Sequence, residues 1–274
     1  MERGLAFIGG GNMGRAIIGG LLAQGYAASR IRVADPEPAA RALVAERYGV
    51  LATADNAEAV AEADVVVLAV KPQQLKAVAE ALRPALAVRR PLVLSIAAGI
   101  TTTLLSAWLG GELPIVRSMP NTPALVGRGI AGLYAGPDVA ADLREAAAGI
   151  LGAVGRAVWV EREDLIDAVT ALSGSGPAYF FLVLEALEAA GTALGLEPAT
   201  ARTLAIETGL GAAELASRSE FDPATLRAQV TSKGGTTERA LAVLTGGGLP
   251  ALFDTALRAA RDRARELAQE LGRA

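Results

Sequence analysis

The strongest indication of the fold of this 274-residue chain lies in residues 5–14, Leu5-Ala6-Phe7-Ile8-Gly9-Gly10-Gly11-Asn12-Met13-Gly14. Four apolar residues predict a short buried strand, and the glycines open a helical pattern that runs to about Gln24. The spacing G-x-G-x-x-G allows a tight turn and lets a pyrophosphate approach Gly9 and Gly11 closely. Gly14 lets the helix pack on the strand, and the helix N-terminus offers amide donors to an anion.

An acidic residue follows at the position where a dinucleotide-binding unit uses one. Asp35 ends a second predicted strand, Ile31–Ala34, and lies 21 residues after Gly14. A carboxylate at this spacing binds the adenosine ribose. The alternative is an ordinary glycine-rich turn, with Asp35 only beginning a turn with Pro36. Strand, glycines, helix and Asp35 together favour dinucleotide binding.

The first half of the chain alternates short apolar runs with helical patterns, which predicts βαβ units and a mostly parallel, doubly wound sheet of the Rossmann type. Further strands are predicted at 65–70, 92–96, 114–117, 129–134 and 157–159, with helices at 38–47, 73–82 and 140–151. After about Glu161 only helical patterns remain, at 177–194, 198–218, 223–230, 236–245 and 249–271. We therefore predict an α/β dinucleotide-binding domain over 1–160 and an all-α domain over 161–274.

The composition excludes several kinds of site. The chain has no cysteine and no histidine, which rules out disulfides, thiolate nucleophiles, zinc-hydrolase ligand sets and Ser-His-Asp triads, and we predict no metal. The net charge is -3 without a basic stripe, so no nucleic-acid partner is expected. Apolar runs such as Val65–Val70 are far shorter than the roughly 18 residues of a membrane span. With no signal-like N-terminus, we expect a cytoplasmic protein without a membrane partner.

Two loops that follow predicted strands are candidates for lining a site. Val70, Lys71 and Pro72 follow a central strand, at the end where doubly wound sheets bind ligands. The alternative is a proline-terminated strand with a solvated lysine. The segment Arg117–Pro123 contains two prolines and Asn121, whose amide can both donate and accept. It predicts a site-lining loop, with a structural proline turn as the alternative.

Two further loops belong to the helical half. Ser173-Gly174-Ser175-Gly176-Pro177 permits close approach of a ligand or of another backbone, and equally fits a helix N-cap followed by proline. Thr231–Thr237 combines hydroxyls with two glycines at a helix start, which creates N–H donors suited to a carboxylate. The alternative here is a Ser/Thr-capped helix without a ligand.

Taken together, these segments resemble pyrroline-5-carboxylate reductase, and the resemblance runs along nearly the whole chain. The matching tracts are Phe7–Gly14, Ala69–Pro72, Ser95–Gly99, Met119–Ala124, Ser173–Tyr179 and Ser232–Thr237. The glycine motif alone would indicate only dinucleotide binding, whereas the combination of tracts is specific. The resemblance implies reduction of 1-pyrroline-5-carboxylate to L-proline by hydride from NADPH or NADH, and an all-α C-terminal dimerisation domain. It also implies a homodimer at least, or a decamer of five dimers.

The resemblance also implies roles for individual residues. Gly11, Asn12 and Met13 would hold the pyrophosphate between Gly9 and Gly14; Asn56 and Ala69, Val70, Lys71 and Pro72 would line the adenosine and ribose side; Ala97 would lie near the nicotinamide, and Asn121 would line the cofactor site. The substrate would be gripped by Ser232, Lys233, Gly234, Gly235 and Thr236. Thr237 would be the catalytic residue, offering its hydroxyl to the ring nitrogen.

Asp35 departs from the expected pattern. The family favours NADPH, whose 2′-phosphate a carboxylate at position 35 would repel. Arg41 would compensate if it reached back from the next helix. We therefore predict NADPH as the cofactor, with use of NADH more plausible here than in a typical member.

Three alternative functions share parts of this pattern. A β-hydroxyacid dehydrogenase relative would need a lysine on the long helix that opens the second domain, but no lysine occurs between Lys76 and Lys233. An imine reductase of broader specificity would share the same logic. A non-catalytic NAD(P)-binding protein would not need the tract Ser232–Thr237 in this form.

Overall fold

The computed structural model describes residues 3–273. The strands within them are β1 (Leu5–Ile8), β2 (Ile31–Ala34), β3 (Leu51–Thr53), β4 (Val65–Leu68), β5 (Leu92–Ser95), β6 (Ile115–Met119), β7 (Gly129–Ala135) and β8 (Gly155–Trp159). The α-helices are α1 (Asn12–Ala23), α2 (Pro38–Tyr48), α3 (Asn56–Val60), α4 (Pro72–Arg89), α5 (Thr102–Leu109), α6 (Ala141–Gly152), α7 (Leu165–Val169), α8 (Gly176–Ala193), α9 (Pro198–Arg218), α10 (Pro223–Gln229), α11 (Thr236–Gly246) and α12 (Leu249–Arg273). Short 3₁₀ turns at Ala28–Arg30 and Thr122–Val126 and a π-helical turn at Thr170–Gly174 complete the regular structure.

The strands form one sheet in the order β3-β2-β1-β4-β5-β6-β7-β8. Strands β1 to β6 are parallel, β7 is antiparallel to β6, and β8 runs with β7. Ile8 stands opposite both Ala34 and Leu68, so the strand order reverses beside β1. The carboxyl ends of β1 to β6 share one edge, which we call the carboxyl edge. Doubly wound sheets bind ligands at such an edge, and the predicted fold class is confirmed.

Both faces of the sheet are covered. Leu5 and Phe7 of β1 belong to one buried cluster, with side chains from α1, α2 and α6. Ala6 and Ile8 belong to a second cluster, with side chains from α3, α4 and α5. Because successive side chains of a strand point to opposite faces, all four positions of β1 are buried. This two-sided burial explains why the first strand is a continuous apolar run.

Several predicted boundaries were wrong. β4 ends at Leu68 rather than at residue 70, because the chain bends at Val70 before α4 begins. α4 begins at Pro72 and continues through Pro84 to Arg89, although a proline in a helix interior removes a hydrogen bond. Burial of Leu82 and Leu86 on either side of that proline offsets this cost. The short elements β3, α3, α5 and α7 were not predicted.

The described chain divides into two compact units. The first runs to Ser175 and takes in the chain again from Ala259, and the second is Gly176–Arg258. In the second unit α8 packs along α9. The predicted domains, 1–160 and 161–274, describe a functional division and stay a prediction.

The second unit exposes many large apolar side chains. Phe180 is 71% exposed and Phe181 66%, and α9, α11 and the first part of α12 add further exposed leucines and valines. The continuous helical stretch Leu165–Ala193 has the length and composition of a membrane span, with 22% of its most apolar window buried. Helices 236–246 and 249–272 pass the same test only as a pair bent by 47°. Helices at the core of a soluble protein pass it too, so the test does not identify a span.

We expect Gly9→Ala to lower the free energy of unfolding by about 2–3 kcal/mol. Gly9 has φ +105°, and a Cβ there would stand 2.7 Å from the Ala69 carbonyl oxygen. Gly11→Ala is the matched control, because a Cβ on Gly11 meets nothing within 4 Å and the residue has φ −70°. Urea unfolding followed by circular dichroism measures both changes. Equal losses in the two variants would contradict the importance of this contact.

Candidate active site

The carboxyl edge brings together the residues predicted to hold a cofactor, and all of them lie in the first unit. They follow successive parallel strands: Gly9, Gly11, Asn12, Met13 and Gly14 after β1, Asp35 after β2, Asn56 after β3, Ala69, Val70, Lys71 and Pro72 after β4, Ala97 after β5 and Asn121 after β6. A dinucleotide is an extended ligand that crosses several strand ends. Their contacts with a ligand stay a prediction.

The glycine turn is closed on the protein side and open on the other. The Gly9 amide donates to the Ala34 carbonyl at 2.8 Å, and a Cβ on Gly14 would stand 2.8 Å from the Gly9 carbonyl oxygen. Gly14 therefore lets α1 pack directly on the turn. Gly11, the N-cap of α1, is exposed and has open space beside it. The turn has room for a ligand only at its outer side.

The N-terminus of α1 suits an anion. Asn12 and Met13 form its first turn with Gly14, and this turn contains no acidic residue. The first N–H groups of a helix lack acceptors within the helix, and the helix dipole adds partial positive charge. Asn12 is exposed, whereas Met13 is half-buried against the core. These amides are suited to a pyrophosphate.

Asp35 is held rigidly at the end of β2. Its Oδ2 accepts the Gly10 N–H at 2.7 Å and its Oδ1 accepts the Glu37 N–H at 2.9 Å. Because both carboxylate oxygens bind main-chain amides, the side chain joins the glycine turn to the turn that follows β2. Asp35, the residue predicted to bind the ribose, is thus also a structural link. These two bonds hold its negative charge at the carboxyl edge.

Two arginines lie beside this link. Arg41 reaches back from α2 and donates through Nη1 to the carbonyl oxygens of Asp35 and Pro36, both at 2.8 Å. Arg15 donates to the Gly10 carbonyl at 2.8 Å and to Asn12 Oδ1 at 2.6 Å. Arg15 was not predicted from the sequence, although its position directly after Gly14 was an available signal. Each guanidinium group therefore places a positive charge beside the turns that Asp35 joins.

The ends of β3 and β4 present small or exposed groups. Asn56 begins α3, which is capped by Asp55 through bonds to the amides of Ala57 and Glu58. Ala69 contacts the glycine turn and donates its amide to the Ile8 carbonyl at 2.8 Å. Lys71 is the exposed N-cap of α4, and Pro72 is its first residue. Backbone groups at 69–72 therefore line the strand-order reversal.

The predicted residues after β5 and β6 are buried. Ala97 is 3% exposed, and its amide donates to Ser95 Oγ at 3.3 Å. The Asn121 side chain donates to the Ser173 carbonyl at 3.0 Å and accepts the Ile130 amide at 2.9 Å. Because both ends of this amide are engaged within the protein, Asn121 holds the loop together. Its predicted contact with the cofactor stays a prediction.

The predicted substrate loop Ser232–Thr237 belongs to the second unit. Gly234 has φ +75°, and its amide donates to Glu238 Oε2 at 2.7 Å. The Gly235 amide donates to the Ser232 carbonyl at 3.0 Å. Gly235 is the N-cap of α11, whose first residues are Thr236 and Thr237. The donors left for a ligand are thus the first-turn amides of α11 rather than that of Gly235.

No group of three or more aspartates and glutamates within residues 3–273 is placed to hold a metal ion. Lys233, also predicted to bind substrate, is exposed at the start of this loop. The first unit therefore carries an edge suited to a cofactor, which would provide the reactive electrons. In the second unit, the start of α11 carries first-turn amides and the Thr237 hydroxyl.

Comparison with known proteins gives matches along the whole chain. Residues 163–267 match the family model for pyrroline-5-carboxylate reductase dimerisation, and residues 4–99 match a model described as NADP oxidoreductase coenzyme F420-dependent. The pyrroline-5-carboxylate reductase of Pseudomonas aeruginosa is 53% identical over 268 residues, which cover 98% of each chain. That of Haemophilus influenzae is 47% identical and covers 96% of this chain and 97% of the relative.

Solved structures give the same result. The pyrroline-5-carboxylate reductase of Coxiella burnetii superimposes with a TM-score of 0.94 at 48% identity, over 97% of this chain and 98% of that one. The Plasmodium falciparum pyrroline carboxylate reductase, solved with NADP bound, gives 0.85 at 27% identity, again over 97% and 98%. Sequence and structure agree over nearly every residue, and the chain belongs to the pyrroline-5-carboxylate reductase family.

Proposed function

We propose that this protein reduces 1-pyrroline-5-carboxylate to L-proline, the last step of proline biosynthesis, with hydride from NADPH. The observation that carries the proposal is the glycine turn at the strand-order reversal, closed by Gly9 and Gly14 and open at Gly11. It occurs in a chain whose whole length is homologous to reductases of this name. The predicted site residues supply the remaining groups.

The proposed cofactor residues fit a reduced dinucleotide. The open side of Gly11 and the first-turn amides of α1 would hold the pyrophosphate, Asn56 and Ala69 to Pro72 the adenosine side, and Ala97 the nicotinamide side. When bound, NADPH supplies the hydride that the reaction needs. The protein's own residues orient the reactants and exclude competing geometries.

The choice of NADPH rests on the balance of charge beside β2. Asp35 disfavours a 2′-phosphate, whereas Arg15 and Arg41 favour it through fixed guanidinium groups. The proposal is that the attraction of these two guanidinium groups for a dianionic phosphate exceeds its repulsion by the Asp35 carboxylate. NADPH is therefore the proposed cofactor, and NADH remains a usable second one because Asp35 can accept ribose hydroxyls.

The loop Ser232–Thr237 is proposed to hold the substrate. The carboxylate would bind the first-turn amides of α11, as the Glu238 carboxylate already binds the Gly234 amide. The Thr237 hydroxyl would bond to the ring nitrogen. A cyclic imine is basic enough to bring its own proton near neutral pH, so positioning and electrostatics suffice and no histidine is needed.

We also propose that a second copy of the chain covers the exposed apolar helices of the second unit. The dimerisation model matches 163–267, and Phe180 and Phe181 lie within it at more than half exposure. The functional form would be at least a homodimer, or five dimers in a ring, in the cytoplasm. Sedimentation equilibrium distinguishes two copies from ten.

The direct test of the activity is consumption of NADPH, followed by absorbance, on addition of 1-pyrroline-5-carboxylate. The proposal predicts rapid oxidation of NADPH with this imine. It predicts no reduction of NADP when a β-hydroxyacid is supplied instead. Other cyclic imines test whether the specificity is broader. Binding of NADPH without turnover of the imine would leave a non-catalytic binding protein and overturn the proposal.

Thr237→Ala is expected to lower kcat roughly 10- to 1000-fold, because the variant has no hydroxyl to bond to the ring nitrogen during hydride transfer. Its affinity for NADPH should not change. Thr245→Ala on the same helix is the matched control, since that hydroxyl donates to the Leu241 carbonyl at 2.7 Å. Steady-state kinetics and NADPH fluorescence titration measure the two quantities. Unchanged kcat in Thr237→Ala would remove this residue from the mechanism.

Asp35→Ser is expected to raise the ratio of kcat/KM for NADPH to that for NADH roughly three- to tenfold, because one charge that repels the 2′-phosphate is removed. Using the ratio cancels the loss of order in the glycine turn, which affects both cofactors. Asp142→Ser removes one carboxylate on α6, where its partner is Arg3. That control should leave the ratio unchanged, and an unshifted ratio in Asp35→Ser would contradict the charge argument.

A further inference from the structure

A buried cation lies in β6, within the segment Arg117–Pro123. The Arg117 side chain is 4% exposed and bonds to two carboxylates: Nη1 to Glu163 Oε1 at 3.2 Å and Nη2 to Asp167 Oδ1 at 3.4 Å. Glu163 precedes α7, and Asp167 lies within it. Because Arg117 is enclosed, it cannot contact a substrate, so any influence on the reaction must pass through its partners.

Glu163 passes this contact on to the loop that follows β5. Its Oε1 accepts the Thr102 N–H at 2.6 Å, and its Oε2 accepts the Thr102 hydroxyl at 2.7 Å. Thr102 begins α5 and directly follows the loop 96–101, which contains Ala97. Arg117 is thus two hydrogen bonds away from the end of this loop, which we call the β5–α5 loop.

A second arginine, Arg265, lies beside Asp167. The second oxygen of Asp167 lies 3.6 Å from Arg265 Nε in α12. Asp167 is therefore shared between Arg117 and Arg265. From the same helix, Leu271 and Ala268 lie close to Gly99 of the β5–α5 loop. The loop is held by Glu163 at its end and by α12 along its middle.

Ion pairs of this kind define geometry more than they stabilise a fold. Burial of charge costs as much as the attraction returns, and well-packed apolar groups often serve stability equally well. The directional bonds of a guanidinium, by contrast, fix the positions of both carboxylates. The cluster therefore explains a fixed loop better than it explains added stability.

We propose that Arg117 is a positioning residue for hydride transfer, which holds the β5–α5 loop through Glu163 and Thr102. The inference rests on the proposed function, in which Ala97 lies beside the nicotinamide. Arg117 fixes the nicotinamide end of the cofactor site and leaves the adenosine end, around Asp35, untouched. No contact between Arg117 and the cofactor is involved.

The test compares NADPH with 2′,5′-ADP, which carries only the adenosine half and the 2′-phosphate. In Arg117→Met, the Kd for NADPH should rise about tenfold and kcat should fall, whereas the Kd for 2′,5′-ADP should stay within about twofold. Arg117→Lys keeps the charge with fewer directed bonds and should recover part of both losses. Isothermal calorimetry gives both dissociation constants without turnover.

Thr102→Val tests the same contact in a second way, so that the test does not depend on whether the Arg117 variants fold. It leaves the charged cluster intact, removes only the hydroxyl bond to Glu163, and should change the NADPH Kd in the same direction by about threefold. Arg144→Met is the matched control for loss of a structural arginine, because Arg144 bonds to the carbonyls of Ala135, Gly136 and Val139. It should lower the Tm without changing the ratio of the two dissociation constants.

The outcomes separate this inference from the proposed function. Wild-type protein that binds no NADPH, or does not turn over the imine, would contradict the proposed function. Wild-type activity together with unchanged NADPH affinity and kcat in Arg117→Met and Thr102→Val would overturn the positioning role alone. A parallel loss of NADPH and 2′,5′-ADP binding would also overturn it, because the effect would then be general unfolding.

Discussion

The approach of the glycine turn to the end of β4 is the contact on which the carboxyl edge depends. Because Gly9 has no side chain, the turn lies against the Ala69 carbonyl. The Gly9 amide at the same time donates to the Ala34 carbonyl. One residue therefore joins the ends of three adjacent strands, at the point where the strand order reverses. The residues proposed for the adenosine side then follow β2, β3 and β4, and the residue proposed for the nicotinamide side follows β5. An extended dinucleotide has one direction across such an edge.

Asp35 shows how the same side chain can serve the fold and the ligand. Its two bonds to the amides of Gly10 and Glu37 order the turns on which the cofactor site is built. A neutral residue would repel a 2′-phosphate less but would accept fewer of these amide bonds. Arg41 and Arg15 relieve the conflict from outside, since they supply positive charge while bonding to main-chain carbonyls rather than to the Asp35 carboxylate.

The sequence predicted whatever depends on local pattern. The glycine spacing, the apolar runs and the change to helical periodicity after Glu161 predicted the sheet and the helical half, because each is written in consecutive residues. The three-residue β3 and the five-residue α3 and α7 are too short to show a period. The cluster of Arg117, Glu163 and Asp167 joins residues some 50 positions apart, and no local pattern signals such a contact. The segment Arg117–Pro123 was predicted to line a site because of its prolines and Asn121, whereas its buried Arg117 binds Glu163 and Asp167.

The use of arginine links the composition to the proposed chemistry. The chain has 23 arginines, three lysines and no histidine. At turns after helices and strands, Arg41, Arg83 and Arg144 bind main-chain carbonyls, which the forked guanidinium can do at several points at once. Arginine stays protonated at every physiological pH, whereas histidine would titrate. The positive field beside the glycine turn is therefore constant. Binding of a phosphorylated cofactor needs such a constant field, and hydride transfer to an imine that carries its own proton needs fixed positions rather than a side chain that gains and loses a proton.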